Sequence, residues 1–421
     1  MLYHLHDYHR VLFNPATLWA QATARVFSSP GSWLTALPGA APMAAGYELF
    51  YRLGKHYEKP TFGIDAVDVR GARVKVAEET VFAKPFCRLQ RFTRLSGEPA
   101  IAEGLKNDPV VLVVAPLSGH HATLLREAVA SLLTGHTVYV TDWLDARMVP
   151  LREGAFSLDD YVGYIRDFIR HIGTERLHVL AVCQPAVPVL AAAALAAAAG
   201  EPEPRSLILM GGPIDSRRNP TQVNRLATGK PLRWFETHLL HDVPARYPGR
   251  GRRVYPGFLQ HASFIAMNPV RHMNSHIDFV HDLILGDAKG AEEHRRFYDE
   301  YNAVLDMPAE YYLDCVRVVF QQHLLPRGRW HVAGARVEPA AITDAALMTI
   351  EGELDDISGR DQTRAAHDLC TGIPDDRKRH LTVAGAGHYG IFSGRRWREI
   401  VHPRMRDFIA SAEATSSRPR I

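Results

Sequence analysis

The sequence of 421 residues is 46% hydrophobic and 23% charged, which is ordinary for a soluble globular protein with a large buried core. Basic and acidic side chains nearly balance, 49 against 46, and they are interspersed along most of the chain, so nothing requires a nucleic-acid partner. The length fits one catalytic domain with a sizeable insertion or extension as well as two independent domains.

The cysteine spacing and the hydrophobic runs exclude several classes of protein. Cys87, Cys183, Cys315 and Cys370 lie far apart, without a Cys-x-x-Cys pair, which argues against a zinc site or a disulfide scaffold and favours a reduced cytoplasmic protein. The N-terminus lacks the charged start and apolar run of a secretory signal, so we expect no export. The longest strictly apolar stretch, Val189 to Ala199, is far shorter than the roughly 20 residues that span a bilayer.

Residues 1–100 are rich in aromatic and turn residues and show no alternation of strands and helices. We interpret them as an N-terminal extension that packs on the core. Their pattern indicates no function.

From Pro109 onward, short apolar runs of β-favouring residues alternate with helical patterns. The predicted strands are Val110–Pro116, Thr137–Trp143, Leu177–Val182, Ser206–Met210, Ala345–Ile350 and His380–Val383. The predicted helices begin near Ala122, cover Asp159–His171, and follow Cys183 as far as Ala199. Near-continuous apolar strands that alternate with helices predict an α/β core, a mostly parallel, doubly wound sheet covered on both faces.

The alternation is interrupted by an aromatic-rich stretch of helices and loops. This divides the core into residues 101–212 and 338–421, with residues 213–337 as a cap inserted over the strand ends. The cap aromatics either pack the cap's own core or supply an apolar groove. The tail Ser411–Ile421 is predicted to be disordered.

Cys183 lies in the segment Leu180–Ala186, directly between a predicted strand and a predicted helix. A side chain at such a turn projects from the carboxyl edge of a parallel sheet, and the helix N-terminus behind it favours a thiolate. The usual nucleophile turn has glycines two residues either side, whereas this chain has Ala181 and Pro185. Proline is tolerated in a first helical turn. An inert buried cysteine is the alternative interpretation.

Two further groups follow in the chain order nucleophile, acid, histidine, which is that of α/β-hydrolases and predicts this fold. Asp355 follows the strand ending at Ile350, where an acid would hold a histidine in the productive tautomer. Its neighbour Asp356 and the more distant Asp215 are alternatives for the acid. His388 follows the last predicted strand between glycines, which allow a tight loop that aims an imidazole at the nucleophile.

The oxyanion hole is predicted to combine the backbone N–H of Gln184 with that of Leu117 or Ser118, in the loop after the first strand. The neighbouring pair His120 and His121 is not interpreted as a metal site, because adjacent positions rarely place both imidazoles on one ion. Orientation of the loop or solvent exposure is the expectation for this pair. No metal and no bound cofactor are predicted.

Four motifs resemble those of the intracellular polyhydroxybutyrate (PHB) depolymerases, which are related to polyhydroxyalkanoate synthases. The motifs are Pro116–Arg126, Tyr139–Arg147, Val182–Pro185 and Gly387–Gly390, and the resemblance covers almost the whole chain. It implies a Cys-Asp-His enzyme, with Cys183, Asp355 and His388, that cleaves the amorphous intracellular polyester into 3-hydroxybutyrate units or oligomers at the surface of storage granules. It also makes Pro185 an expected residue.

The resemblance leaves several points open. The acceptor of the acyl group is water or the sulfur of coenzyme A. A synthase-like acyltransferase and a non-catalytic granule protein are the rival functions. A synthase would be expected to have a longer chain and a Gly-x-Cys-x-Gly turn, and a scaffold has no need of all three triad residues. A homodimer built through the cap is a further alternative for the assembly.

Overall fold

A central sheet of nine strands organises the molecule, whose computed structural model describes residues 2–29 and 31–416. The strands of this sheet and of two smaller sheets are β1 Ala66–Val69, β2 Ala72–Lys84, β3 Cys87–Leu95, β4 Val110–Val114, β5 Thr137–Trp143, β6 Leu177–Val182, β7 Ser206–Met210, β8 His241–Asp242, β9 Arg253–Tyr255, β10 Met307–Pro308, β11 His331–Val332, β12 Ala335–Arg336, β13 Ala346–Gly352 and β14 Lys378–Val383. The helices are α1 Leu2–Ser28, α2 Ala40–Gly54, α3 Pro99–Asn107, α4 Arg126–Leu132, α5 Leu158–Ile172, α6 Ala186–Ala198, α7 Gln222–Gly229, α8 Leu232–His238, α9 Gly257–Met267, α10 Pro269–Leu285, α11 Ala288–Tyr301, α12 Ala309–Asp314, α13 Ala366–Leu369, α14 Gly394–Arg396 and α15 His402–Ser416.

The strand order of the central sheet is β1-β2-β3-β5-β4-β6-β7-β13-β14. The six strands from β5 to β14 in this order pair in parallel, and β1, β2 and β3 add to them in antiparallel fashion. Helices cover both faces, with α5 and α6 in one core cluster and α4 and α15 in the other. This is the predicted α/β-hydrolase fold.

The predicted strands of the core are confirmed to within about two residues. Strands β5, β6 and β7 have the predicted bounds, and β6 and β7 are buried along their whole length. Strands covered on both faces must be apolar at every position, which is why the sequence shows them as continuous runs. Helix α5 is also well marked, because Ser157 and Asp160 form a reciprocal capping box at its start.

The N-terminal region differs from the prediction. Residues 66–95 form β1 to β3 and belong to the central sheet instead of an extension packed on it. Long stretches of β2 are exposed on both faces, so its sequence lacks the apolar run of a buried strand. The predicted disorder of Ser411–Ile421 is wrong as far as Ser416, which ends α15; residues 417–421 lie outside the described residues.

Helices α7 to α12 lie between β7 and β13 in the chain, within residues 213–337, the segment predicted as a cap. This segment also contains a small sheet with the strand order β10-β9-β8. A π-helical segment, Cys315–Gln321, continues α12 and faces the carboxyl end of β6 through the contact of Cys315 with Gln184. The cap therefore lies over the strand ends that carry the predicted site.

Candidate active site

Cys183 occupies a strained turn at the end of β6. Its φ of 68° lies in the left-handed region, which costs a residue with a side chain about 1–2 kcal/mol. The backbone holds the turn in place: the Cys183 N–H donates to Met210 O at 2.7 Å, and Cys183 O accepts from Ala186 N at 3.0 Å. The thiol is half-buried. Pro185, with φ −56° and ψ −19°, starts α6 without conflict with its ring.

A pair of glycines at the end of β7 makes room for this turn. A β-carbon at Gly212 would overlap Ala186 and stand 2.7 Å from Cys183 O. A β-carbon at Gly211 would stand 3.2 Å from Cε1 of His388. The close approach of β7 to the nucleophile and to the histidine therefore requires glycine at both positions.

His388 and Asp355 meet at the strand ends as a buried pair. His388 Nδ1–H donates to Asp355 Oδ2 at 2.7 Å, and the side chain of Asp355 is completely buried. The other carboxylate oxygen, Oδ1, accepts from the backbone N–H of Ile357 at 2.9 Å and of Ser358 at 2.8 Å. Three donors thus fix the carboxylate and leave Nε2 of the imidazole free to serve the thiol.

The two alternative acids make other contacts. Asp356 Oδ2 accepts from Asn268 Nδ2 at 3.3 Å, in an exposed position. Asp215 binds the guanidinium of Arg217 through both carboxylate oxygens, at 2.7 and 2.8 Å. Of the three carboxylates considered, Asp355 is the one that the structure brings to His388.

The loop that carries Asp355 and the loop that carries His388 are bound to each other. A β-carbon at Gly352 would stand 2.6 Å from Ala386 O, so these backbones can approach only with glycine at that position. Leu354 N donates to Ala386 O at 2.8 Å, and Gly385 N donates to Glu353 Oε2 at 2.7 Å. The acid and the histidine therefore form one rigid unit.

The electrostatics of His388 follow from these contacts. Burial alone would lower its pKa, but the charge of Asp355, the charge of Cys183 and side-chain hydrogen bonds to both raise the pKa of His388 well above its usual range. Cys183 thus lies near enough to His388 for its charge to act on the imidazole. An imidazole with a raised pKa suits a general base that takes up a proton from a neighbouring thiol.

The predicted oxyanion donors lie beside the thiol. Gln184 and Ser118 line the same cavity as Cys183, and Leu117 is buried behind them. Among the described residues, none accepts a hydrogen bond from the backbone N–H of Gln184, Leu117 or Ser118. Unpaired N–H groups in such a place are available to a developing negative charge.

The thiol opens into a cavity of about 460 Å³ that is mostly apolar. Its walls come from α6 and from the cap, including Trp234, Phe235, Tyr255, Phe264, Met267, Tyr312, Cys315 and Phe320. Other cap aromatics, among them Phe279, Tyr311 and Trp330, are fully buried in packing. Some cap aromatics therefore line the apolar cavity, and others pack the core of the cap.

The histidine pair beside the oxyanion loop is buried, so the expectation of solvent exposure is wrong. His120 stacks on Phe264 with ring centroids 5.1 Å apart, and its backbone bridges to Val304 of the cap. Burial lowers the pKa of His120 and of His121 to about 3, so both are neutral. Their place agrees with the alternative expectation, orientation of the loop.

The sequence analysis did not identify two features of the site. Glu351 is 1% exposed and accepts three backbone hydrogen bonds, from Asp361, Thr363 and Arg364, which shape the loop beyond Asp355. No local pattern marks this role. The role of the glycine pair at the end of β7 was also missed, although adjacent glycines after a strand do signal a close approach of backbones.

No three His, Cys, Asp or Glu side chains of the described residues lie together as a metal site would need. None of the described helices is both long and apolar enough to cross a bilayer.

Residues 211–413 match a family model described as the PHB de-polymerase C-terminus. The match covers just under half of the chain, includes Asp355 and His388, and begins after Cys183. The resemblance found in the sequence is confirmed over this segment. No curated protein matches the sequence.

Several solved structures are similar to this chain. They include a candidate lipase of Acinetobacter baumannii AYE, with 12% identity, a TM-score of 0.47 and coverage of 81% of this chain and 93% of that one. The 2-hydroxy-6-oxo-6-phenylhexa-2,4-dienoate hydrolase of Rhodococcus sp. strain RHA1 has 13% identity, a TM-score of 0.44 and coverage of 80% and 99%. A monoacylglycerol lipase of Paleococcus ferrophilus has 14% identity, a TM-score of 0.41 and coverage of 72% and 94%. Similarity at this level carries no information about substrate.

Proposed function

We propose that this chain, whose residues 211–413 carry the PHB depolymerase C-terminal domain, hydrolyses the ester bonds of poly(3-hydroxybutyrate) with Cys183 as nucleophile. The observation that supports this most is the hydrogen-bonded pair of Asp355 and His388 beside a thiol that opens into an apolar cavity. A neutral polyester with a methyl group on every unit suits such walls. The proposed place of action is the surface of cytoplasmic storage granules.

In the proposed first half-reaction, His388 takes the proton of the Cys183 thiol and the thiolate attacks the ester carbonyl. The negative charge on the carbonyl oxygen is stabilised by the N–H of Gln184 and by that of Leu117 or Ser118. The C–O bond of the ester then breaks. The departing alkoxide takes the proton from His388 and leaves as the hydroxyl end of the shortened polymer, while the acyl group stays on sulfur as a thioester.

In the second half-reaction, His388 removes a proton from water, and the resulting hydroxide attacks the thioester. The carbon–sulfur bond breaks, a 3-hydroxybutyrate unit or oligomer leaves as the acid, and the proton on His388 returns to the thiolate. Asp355 keeps the imidazole in the right tautomer and stabilises its charged form throughout. Coenzyme A would replace water in a thiolysis, with the same residues and a CoA ester as product. No bound cofactor is required by either version.

Two rival functions remain distinguishable. A synthase-like acyltransferase would use the same three residues to lengthen the polymer. A non-catalytic granule protein would bind polyester without turnover. The completeness of the hydrogen-bonded pair around Asp355 favours an enzyme over a binding protein, because a scaffold gains nothing from an oriented imidazole beside a thiol.

The test is to incubate the purified protein with amorphous poly(3-hydroxybutyrate) granules, with and without coenzyme A, and to identify the products by mass spectrometry. We expect soluble 3-hydroxybutyrate species from the native protein and none from Cys183→Ala. Cys183→Ser should be much slower, because a hydroxyl is far less ionised than a thiol near neutral pH. Native-like turnover by Cys183→Ala would refute the mechanism, and chain growth from a CoA ester would favour the synthase.

A further inference from the structure

The N-terminal hairpin of α1 and α2 exposes its large apolar side chains. Among the side chains that the structure describes, 19 of the 25 exposed large hydrophobic ones lie in α1, in α2, in the link between them or in α10. Those of α1 and the link are Leu2, Leu5, Tyr8, Val11, Leu12, Phe13, Leu18, Trp19, Val26, Trp33 and Leu37. A monomeric soluble protein rarely exposes so many large apolar side chains in one region, and a patch of this kind marks an interaction surface.

The packing of this hairpin is the reverse of that in an ordinary amphipathic pair. The two helices meet through small side chains such as Ala20, Ala24 and Ala44, which are buried. A β-carbon at Gly54 would stand 2.5 Å from the methyl group of Thr17, which shows how closely the backbones approach. The large apolar side chains are thus left on the outside.

The charged residues of α2 point toward the protein. Arg52 donates to Asp299 at 2.9 Å and is 7% exposed, and Arg295 of α11 forms a bidentate pair with Glu48 at 2.7 and 3.0 Å. These ion pairs fix the hairpin to the cap by its polar side. The hairpin is therefore held in one orientation, and the exposure of its apolar side chains does not result from loose attachment.

The outward side is also almost free of charge. Residues 11–47 contain a single charged residue, Arg25, in a chain that is 23% charged. An anionic membrane surface or a nucleic acid would be matched by basic side chains, and the rim of a protein interface by mixed charges. A partner that is itself uncharged and apolar is the one that this composition matches.

Helix α10 connects this surface to the catalytic cavity. It packs against α2, and it follows α9, whose Phe264 and Met267 line the cavity. Val270, Met273 and Ile277 on α10 are exposed, at the spacing of one helical stripe. Exposed apolar side chains thus extend from the hairpin to α10, which packs against both α2 and the helix at the cavity wall.

We propose that α1, α2 and the exposed stripe of α10 form a docking surface for the insoluble polyester, which holds the enzyme on the polymer while chains enter the cavity. This rests on the proposed function for the identity of the polymer. A helix of 27 residues is about 40 Å long, so the surface spans many repeat units and needs no pocket for any one of them. Binding to the polymer surface and turnover at Cys183 are then separate properties of the chain.

The test compares two triple variants. The docking triple Leu12→Asp, Leu53→Asp and Ile277→Asp places charges on the proposed surface at side chains that are 58%, 65% and 47% exposed. The control triple Leu95→Asp, Leu151→Asp and Ile400→Asp places the same charges at exposed leucines and an isoleucine elsewhere. Binding is measured by co-sedimentation with protein-free amorphous poly(3-hydroxybutyrate) particles in a Cys183→Ala background, and turnover of the soluble ester p-nitrophenyl butyrate is measured with Cys183 intact.

We expect the docking triple to bind the particles about one hundredfold more weakly, because three apolar side chains become carboxylates that resist burial. The control triple should bind as the parent does, and both triples should hydrolyse the soluble ester at the parental rate. Circular dichroism checks folding, and Leu12→Asp alone, with a smaller expected loss, serves if the triple does not fold.

Particle binding by the docking triple that equals that of the parent would overturn the proposal. So would a dimer that the docking triple converts to monomer while particle binding stays unchanged, since the surface would then join two copies. Binding of the parent to phosphatidylglycerol vesicles in place of the particles would also overturn it. A parent that binds the particles without cleaving any ester contradicts the proposed function and leaves the docking surface supported.

Discussion

Replacing Asp355 by Asn should lower kcat/KM for a soluble ester by about three powers of ten. The amide keeps the shape of the carboxylate and one oxygen for the two backbone donors, but it removes the negative charge beside His388. It can also turn its NH2 group toward Nδ1 and stabilise the wrong tautomer. The variant therefore tests the charge and not the packing.

The magnitude follows from the distance. A Nδ1–Oδ2 separation of 2.7 Å places the centres of the two charges about 4 Å apart, where unit charges attract by about 4 kcal/mol at an effective dielectric constant of 20. Each factor of ten in rate corresponds to about 1.4 kcal/mol. Loss of that attraction from the imidazolium-like transition state accounts for the three powers of ten.

The assay is the initial rate with p-nitrophenyl butyrate, over a range of concentrations that separates kcat from KM. Asp356→Asn is the matched control, since its carboxylate is exposed and is hydrogen-bonded to Asn268; we expect less than about a twofold change, as for most exposed positions. Equal losses in both variants, or a larger loss in Asp356→Asn, would refute the assignment of the acid.

Three further predictions follow from the site. Gly212→Ala should destabilise the protein by about 1–3 kcal/mol and lower its activity, since the new methyl group has no space behind the nucleophile; chemical denaturation measures the first effect. Ala266→Trp, at an exposed position of the cavity wall, should slow the hydrolysis of long oligomers more than that of an acetyl ester, whereas Ala262→Trp on the same helix should not. Asp355 raises the pKa of His388 in the folded protein above the value of about 6.5 that a histidine has in the unfolded chain. The charged imidazole therefore stabilises the parent fully below about pH 6.5, and this stabilisation is lost as the pH rises through the raised pKa. Asp355→Asn removes the largest cause that raises that pKa, so melting temperatures should fall below those of the parent most strongly under acidic conditions.

Each of these has an outcome that would contradict it. Gly229→Ala is the control for Gly212, since a β-carbon there meets nothing within 4 Å; equal stability of the two variants would remove the steric argument. Parallel effects of both tryptophan variants on every ester would show that the cavity wall does not select by chain length. A difference in melting temperature between parent and Asp355→Asn that is independent of pH would mean that protonation of the histidine is not coupled to folding.

The core of the fold could be predicted because its strands are buried on both faces. Strands such as β6 and β7 need apolar side chains at every position, so uninterrupted apolar runs in the sequence predict where they begin and end. Strand β2 escaped prediction because much of it is exposed, and α1 escaped because its apolar side chains do not follow a buried stripe.

The positions of the predicted triad residues were recoverable because each follows a strand directly, within a short motif. Parallel strands bring their carboxyl ends to one edge, so position along the chain predicts proximity in space. The choice of Asp355 over its neighbour needed the loop conformation, which depends on distant groups such as Glu351. The cavity walls could not be predicted, because the packing of α9 and the π-helical segment decides which cap side chains meet the thiol.

The difference in burial among the four cysteines offers a way to measure the fraction of protein with an intact site. Cys87, Cys315 and Cys370 are buried, and burial raises the pKa of each of these thiols, which leaves them protonated and shielded. Cys183 alone among the four is half-exposed, and it lies beside an imidazole that can hold its proton. Iodoacetamide under native conditions should therefore add one carboxamidomethyl group per folded enzyme, so that the mass of the intact protein titrates its competent fraction without any substrate.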